Sequence, residues 1–410
     1  THGHHRGDEV LVIAAERLTS VLRPSDTAAR LGGDEFAVLI EDVQGADEAL
    51  AVATRVADAL RQQVPIGHAS VRIAASIGVA IGAGGRETAD DLLRNADVAM
   101  YAAKRSARGG AELFRPALRE GMKARAERAA RLRGAEERGE MRLDYQPIVE
   151  LATNRIVGVE ALVRWQPPEG PILMPDAWID LAEESGEIVP IGRWVLHEAC
   201  RQARDWQIRL GRPDLRMSVN LSTRQFVDHD IVATTRAALL ATGLPPGTLT
   251  LEITESGLMQ RTESSIGRLE ALRALGVNIA IDDFGTGYSS LSYLDSFPID
   301  ELKIDRSFVS SAVDGLSHVA RAVLDLGRTL GLEVVAEGVE RLDQARWLID
   351  LGCQYGQGYL YARPVGPSAI EALLAEGQGL ARPIEMDADS AAEQAGNADI
   401  AHRLRLVSGE

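Results

Sequence analysis

The chain has 410 residues, 45% of them apolar, and a formal net charge of −16, which excludes a general binder of nucleic-acid polymers but leaves room for a small nucleotide in a local pocket. Two scattered cysteines, Cys200 and Cys353, exclude a disulfide framework and point to a reducing compartment. No apolar run reaches the roughly 18–20 residues of a membrane span, and no secretory leader is visible.

The chain opens on Thr1-His2-Gly3-His4-His5, read as the native start of a fragment whose upstream sequence is missing. Helical spacing of Leu11, Ala14, Leu18 and Val21 predicts a helix over 8–22. Short strands over 27–31 and 36–40 flank Gly32-Gly33-Asp34-Glu35, which reads as a hairpin turn. A helix over 47–63, a strand over 71–80 and a helix over 90–107 complete a small α/β unit, residues 1–114. Residues 115–140, rich in Arg, Glu and Ala, read as a charged connecting helix with a solvated face.

Over 141–378 strand-like runs alternate with amphipathic segments such as 189–209, 262–275 and 317–330. The strands fall at 142–150, 156–163, 216–220, 249–253, 277–281, 300–304, 333–336 and 354–359. That alternation implies a mainly parallel sheet. Eight strands in a stretch this long suit a TIM-like (β/α)8 barrel, usually ~250 residues. The tail over 379–410 is polar and Ala-rich, and is expected to be poorly ordered.

Polar residues stand at the carboxyl ends of successive strands: Glu160, Asn220, Glu252 with Glu255 just after it, Asp282 and Asp283, Lys303 and Asp305, Glu337, and Gln357 in the last strand. In a barrel that face is where active sites are built. Any one of these acids alone reads as a salt-bridge partner. Many on one face would repel and raise each other's pKa, a cost that divalent cations remove. Oxygen ligands with an amide among them suit Mg²⁺ or Mn²⁺. The adjacent Asp282 and Asp283 suit a metal pair, and two metals can clamp both oxygens of a phosphodiester displacement.

Glu160-Ala161-Leu162-Val163-Arg164-Trp165 resembles the signature of the EAL-domain cyclic di-GMP phosphodiesterases. The resemblance also covers Tyr145-Gln146-Pro147-Ile148, Asn220-Leu221-Ser222, Leu251 to Glu255, Asp282 to Leu291, Leu302 to Asp305, Ala336 to Glu340 and Gln357-Gly358-Tyr359, in that order. It implies hydrolysis of cyclic di-GMP to linear pGpG, with two Mg²⁺ or Mn²⁺ per site and an activated water as nucleophile. Glu160, Asn220, Glu252 and Asp282 resemble ligands of the first metal; Asp282 would bridge to a second, held by Asp283 and Glu337. Lys303 would position the water and Glu255 would anchor the loop 283–290. Arg164 would meet a phosphate, Gln146 and Asp305 would hold the dinucleotide, and Gln357 and Glu340 would support the second metal or the substrate beside it. Whether Glu337 is general base or mainly ligand stays open.

The amino-terminal unit resembles a GGDEF domain, an α/β sandwich that here lacks its first strand. Gly32, Gly33, Asp34 and Glu35 match its hairpin; Asp8 would meet guanine, and Lys104 and Arg108 a triphosphate, so GTP is an expected partner. Arg23 and Asp26, five residues before the hairpin, match an inhibitory RxxD site for cyclic di-GMP. Without the first strand and its metal-binding Asp, the chain as given is expected to make no cyclic di-GMP from GTP. Two other readings stand beside hydrolysis: a silent cyclic di-GMP receptor, and a bifunctional cyclase and phosphodiesterase in a longer protein. The resemblance further implies a homodimer in the bacterial cytoplasm, with tethering to the inner membrane through upstream sequence.

Overall fold

The computed structural model describes residues 4–66, 69–82, 87–105, 110–228, 230–259, 262–286, 294, 296–310 and 318–375. Two compact units divide it, Thr1–Ala130 and Arg131–Glu410. No helix among the described residues is long and apolar enough to cross a membrane.

In the amino-terminal unit, β1 (Thr27–Gly32) and β2 (Glu35–Leu39) form the expected antiparallel hairpin. Arg30 clasps its turn by donating from Nε and Nη2 to the Gly33 carbonyl, at 2.9 and 2.7 Å. The spacing predicts one strand over 71–80, but the chain divides there. β3 (Gln63–Ile66) pairs with β4 (Ala69–Arg72), and β5 (Ser76–Val79) pairs in parallel with β6 (Gly110–Leu113). Ala14, Leu18, Val56 and Leu60 form this unit's buried cluster.

The expected connecting helix stops at Leu132, as Pro116–Leu132, and residues 133–139 are turns. Gly134 and Gly139 adopt φ of 68° and 71°, which end a helix cheaply only for glycine. Leu132 and Ala135 are fully buried in the core of the second unit, and Glu140 accepts from the Trp165 indole at 3.0 Å. The charges of this stretch conceal a short apolar anchor.

The second unit is a closed barrel of eight strands. They are β7 (Met141–Glu150), β8 (Arg155–Trp165), β9 (Arg216–Leu221), β10 (Leu249–Thr254), β11 (Asn278–Phe284), β12 (Glu301–Ile304), β13 (Glu333–Ala336) and β14 (Tyr355–Gly356). β8 to β14 run parallel, while β7 is antiparallel to both neighbours. One face of each strand buries apolar side chains such as Val219, Leu251, Ile253, Ile279 and Leu302, all without exposed surface. The other face lines the barrel. Because side chains alternate with period two, the apolar set fixes which polar residues point inward.

Gly358 follows β14 where backbone meets backbone: a Cβ there would lie 2.1 Å from the Val339 oxygen and 2.3 Å from its nitrogen. Neither atom can swing aside as a side chain could. Gly358→Ala should therefore cost at least about 1–3 kcal/mol, the usual range for overpacking, read as a lower urea midpoint. An unchanged midpoint would show that the Val339 segment moves freely.

Candidate active site

The strand register gathers the expected acids. Glu252 pairs in register with Asn220 on β9 and with Ala280 on β11, and Thr254 pairs with Asp282. Lys303, two residues into β12, is 1% exposed and stands at the centre of the ring. Its Nζ lies 2.6 Å from Glu252 Oε2 and 2.6 Å from Glu337 Oε1, and 3.3 and 3.8 Å from Asp282 Oδ1 and Glu160 Oε1. Asn220 donates from its amide to Glu160 Oε1 at 2.6 Å. Gln357 Nε2 reaches Glu160 Oε2 at 2.5 Å and Gln146 Oε1 at 2.9 Å, and Gln146 donates to the Ala362 carbonyl at 3.0 Å.

The electrostatics follow from burial and crowding. Burial opposes the Lys303 charge, but the carboxylates of Asp282, Glu160, Glu252 and Glu337 outweigh it and hold the ammonium well above the ordinary lysine value. Burial drives the Glu252 carboxyl well up, against the pull of Lys303. Burial likewise pushes Glu337 up to about 8 despite the Lys303 ammonium, with Asp282 and Glu160 adding to the rise. Asp283 is also raised, by burial and then by Asp282 and Asp305. Glu301, two residues before Lys303, is pushed up to about 7, again mainly by burial.

A metal fits this donor set. Glu252 Oε1 is buried without a hydrogen-bond partner, an arrangement that a cation would relieve. Asp282, Asp283 and Glu337 each offer an oxygen within 4.8 Å of the others. One ammonium against five carboxylates, Glu160, Glu252, Asp282, Asp283 and Glu337, leaves a formal excess of four negative charges, which two divalent cations would match.

Beside the ring, Asp283 sits in the left-handed region at φ 54°, uncommon for a non-glycine residue. Its N–H donates to Asp282 Oδ1 at 3.0 Å, and its carbonyl accepts from the Thr286 hydroxyl at 2.8 Å. Glu255, 4% exposed, accepts from the Gly285 N–H at 3.2 Å, which ties it to the start of the loop 283–290; residues 287–290 lie outside the described residues. Asp305 accepts from the Ser307 N–H at 2.9 Å and from the Ser307 hydroxyl, and so caps the following turn.

Two expected residues stand apart from the ring. The Glu340 side chain is exposed, and its backbone N–H donates to Gln344 Oε1 at 2.8 Å. Among the described residues, no hydrogen bond or ion pair joins it to the Lys303 cluster. Arg164 is buried against Asp144, with Nε donating to Oδ2 at 3.0 Å. Asp144 carries no signal of its own in the sequence, where it sits beside Tyr145 and Gln146 as an ordinary strand residue.

In the amino-terminal unit, Asp8, Gly32, Gly33, Asp34, Glu35 and Lys104 are exposed. No hydrogen bond or ion pair among the described residues joins Asp8, Asp34, Glu35 and Lys104. Arg108 lies outside the described residues. Asp26 accepts from the Arg23 N–H at 2.8 Å, while the Arg23 guanidinium pairs with Glu48 at 3.1 Å.

Residues 129–364 match the EAL domain family, and residues 1–110 match the diguanylate cyclase, GGDEF domain family. The bifunctional diguanylate cyclase/cyclic di-GMP phosphodiesterase MucR of Pseudomonas aeruginosa is 44% identical over 376 residues, which is 91% of this chain and 55% of MucR. The cyclic di-GMP phosphodiesterase NbdA of the same organism is 39% identical over 374 residues, 91% of this chain and 48% of NbdA. The chain thus spans about half the length of these curated relatives. Among solved structures, a complex of the PaMucR phosphodiesterase with c-di-GMP matches with a TM-score of 0.56 at 47% identity, covering 58% of this chain and 97% of that one.

Lys303→Met should leave buried carboxylates without their cation. In protein stripped of metal, losing one partner of a buried ion pair costs about 3–5 kcal/mol. Urea denaturation in the presence of a chelator should show that loss, and added Mg²⁺ should restore part of it. A midpoint equal to that of the unaltered protein would mean that Lys303 does not hold the ring together.

Proposed function

Because this chain belongs to the EAL domain family, with a GGDEF domain ahead of the EAL domain, we propose that its barrel hydrolyses one phosphodiester bond of cyclic di-GMP to linear pGpG with two divalent cations, Mg²⁺ or Mn²⁺. The observation that carries this reading is the ring of carboxylates around buried Lys303, with Glu252 Oε1 left unpartnered. The c-di-GMP in the PaMucR complex supports the substrate, and the names of MucR and NbdA support hydrolysis over silent binding.

Glu160, Asn220, Glu252 and Asp282 would hold one cation, and Asp282, Asp283 and Glu337 the other. Bound there, the cations would offset phosphate charge and lower the pKa of the attacking water. Lys303 touches Glu252 and Glu337 at once, so it fixes both carboxylates and keeps positive charge beside the phosphate. The Glu337 carboxylate, whose Oε1 lies 2.6 Å from the Lys303 ammonium, would take up the proton released by the water. Gln357 and Gln146 form a neutral pair behind Glu160 and orient its carboxylate. Arg164 would supply a planar donor set for a phosphate. GTP binding at the GGDEF domain, regulation of the barrel by that domain, and homodimerisation belong to the same reading.

Glu160→Ala and Glu337→Gln should each lower pGpG formation by more than about 100-fold, since removing a mere supporting partner at a metal site already costs ~10–100-fold. Chromatography of cyclic di-GMP incubated with purified protein and Mg²⁺ or Mn²⁺ measures it. Near-normal turnover in either variant would sink the assignment. For the amino-terminal unit, calorimetry on the Glu160→Ala protein should detect cyclic di-GMP at a second site that Arg23→Ala removes. Identical isotherms for the two proteins would dispose of the Arg23 and Asp26 site.

A further inference from the structure

Arg164 is held by a device that its strand position alone does not suggest. The register of β7 against β8 sets Arg142 directly opposite Arg164, Asp144 opposite Leu162, and Gln146 opposite Glu160. Period two puts Arg142, Asp144 and Gln146 on one face of β7, and Glu160, Leu162 and Arg164 on the matching face of β8. The arginine pair is therefore two rungs beyond Glu160, toward the carboxyl end of β8. Like charges directly opposite each other on a sheet repel. Asp144 lies between them and gives one oxygen to each: Oδ1 accepts from Arg142 Nη2 at 2.8 Å and Oδ2 from Arg164 Nε at 3.0 Å. Arg164 Nη1 donates to the Val163 carbonyl at 2.9 Å, and Nη2 makes no hydrogen bond among the described residues. The guanidinium is thus locked at two corners, with donor capacity left at the third.

We propose that Asp144 is a positioning residue for substrate binding, which holds the Arg164 guanidinium against repulsion by Arg142 and presents its free Nη2 to a phosphate oxygen of the substrate. The inference rests on the phosphodiesterase reading above. A fork fixed before the ligand arrives loses less side-chain entropy on binding. Arg164 lies four residues from Glu160, about 13 Å along the strand at the usual rise. Its contribution therefore falls on binding and not on the reacting bond.

The test is steady-state hydrolysis of cyclic di-GMP by the full chain in Mg²⁺, with thermal melting of each variant. Asp144→Asn should raise KM about 10-fold or more, as expected for losing a charge-assisted hydrogen bond, with kcat nearly unchanged. Arg164→Ala should raise KM at least as much, and Asp144→Asn should add nothing in the Arg164→Ala background. Removing the repelling partner should rescue: Arg142→Ala/Asp144→Asn should recover part of the KM, which a merely structural Asp144 would not allow. Should Asp144→Asn alone melt early, the double variant, free of the repulsion, carries the comparison. Unchanged KM in Asp144→Asn, or independent effects of Asp144→Asn and Arg164→Ala, would overturn the inference while the phosphodiesterase reading stands. Absent wild-type turnover, with Asp144→Asn still weakening cyclic di-GMP binding by calorimetry, would overturn that reading and keep the role of Asp144.

Discussion

A single buried ammonium surrounded by carboxylates organises the barrel's interior. Lys303 is nearly inaccessible to water, yet its charge is held because Asp282, Glu160, Glu252 and Glu337 all face it. Charges drawn from water at this depth must find partners or neutralise. One lysine cannot satisfy five acids, and the strain shows in the raised Glu252 and Glu337 carboxyls and in the orphaned Glu252 Oε1. The site is therefore poised for added positive charge, and that incompleteness is its chemical capacity.

The barrel makes this arrangement possible by topology. Seven parallel strands deliver their inward side chains to one end, where Asn220, Glu252, Asp282 and Lys303 converge. The reversed β7 approaches from the other direction, so Gln146 backs Glu160 through Gln357, and Asp144 and Arg142 continue outward beside Arg164. A parallel first strand would advance the other way past β8, and these residues would not meet in this order. Asp283, in the left-handed region and tied to Asp282, closes the ring where β11 ends in a turn.

Much of this was legible in the sequence because burial on one strand face leaves a strong periodic trace. The barrel strands fall within a few residues of the expected runs and bring Glu160, Asn220, Glu252, Asp282, Lys303 and Glu337 together, but Glu160 stands in the middle of β8 and not at its end, because that strand runs on to Trp165. Other features depend on pairing, which period alone does not specify. The reversal of β7 is one, and with it the Asp144 bridge to Arg164. Glu340 follows a turn at Gly338, and its exposed side chain makes no hydrogen bond or ion pair to the Lys303 cluster among the described residues. Charged composition over 115–140 masked Leu132 and Ala135, because few apolar residues suffice to anchor a turn on a large core. The division of 71–80 into two strands likewise turns on partners, β3 for one piece and β6 for the other.

The central claim is that the acids around Lys303 exist to hold two divalent cations. Anomalous scattering from a crystal of the protein grown with Mn²⁺ tests it most directly. The account predicts two peaks, one among Glu160, Asn220, Glu252 and Asp282 and one among Asp282, Asp283 and Glu337. A single ion, or ions bound elsewhere with the Lys303 contacts intact, would contradict it.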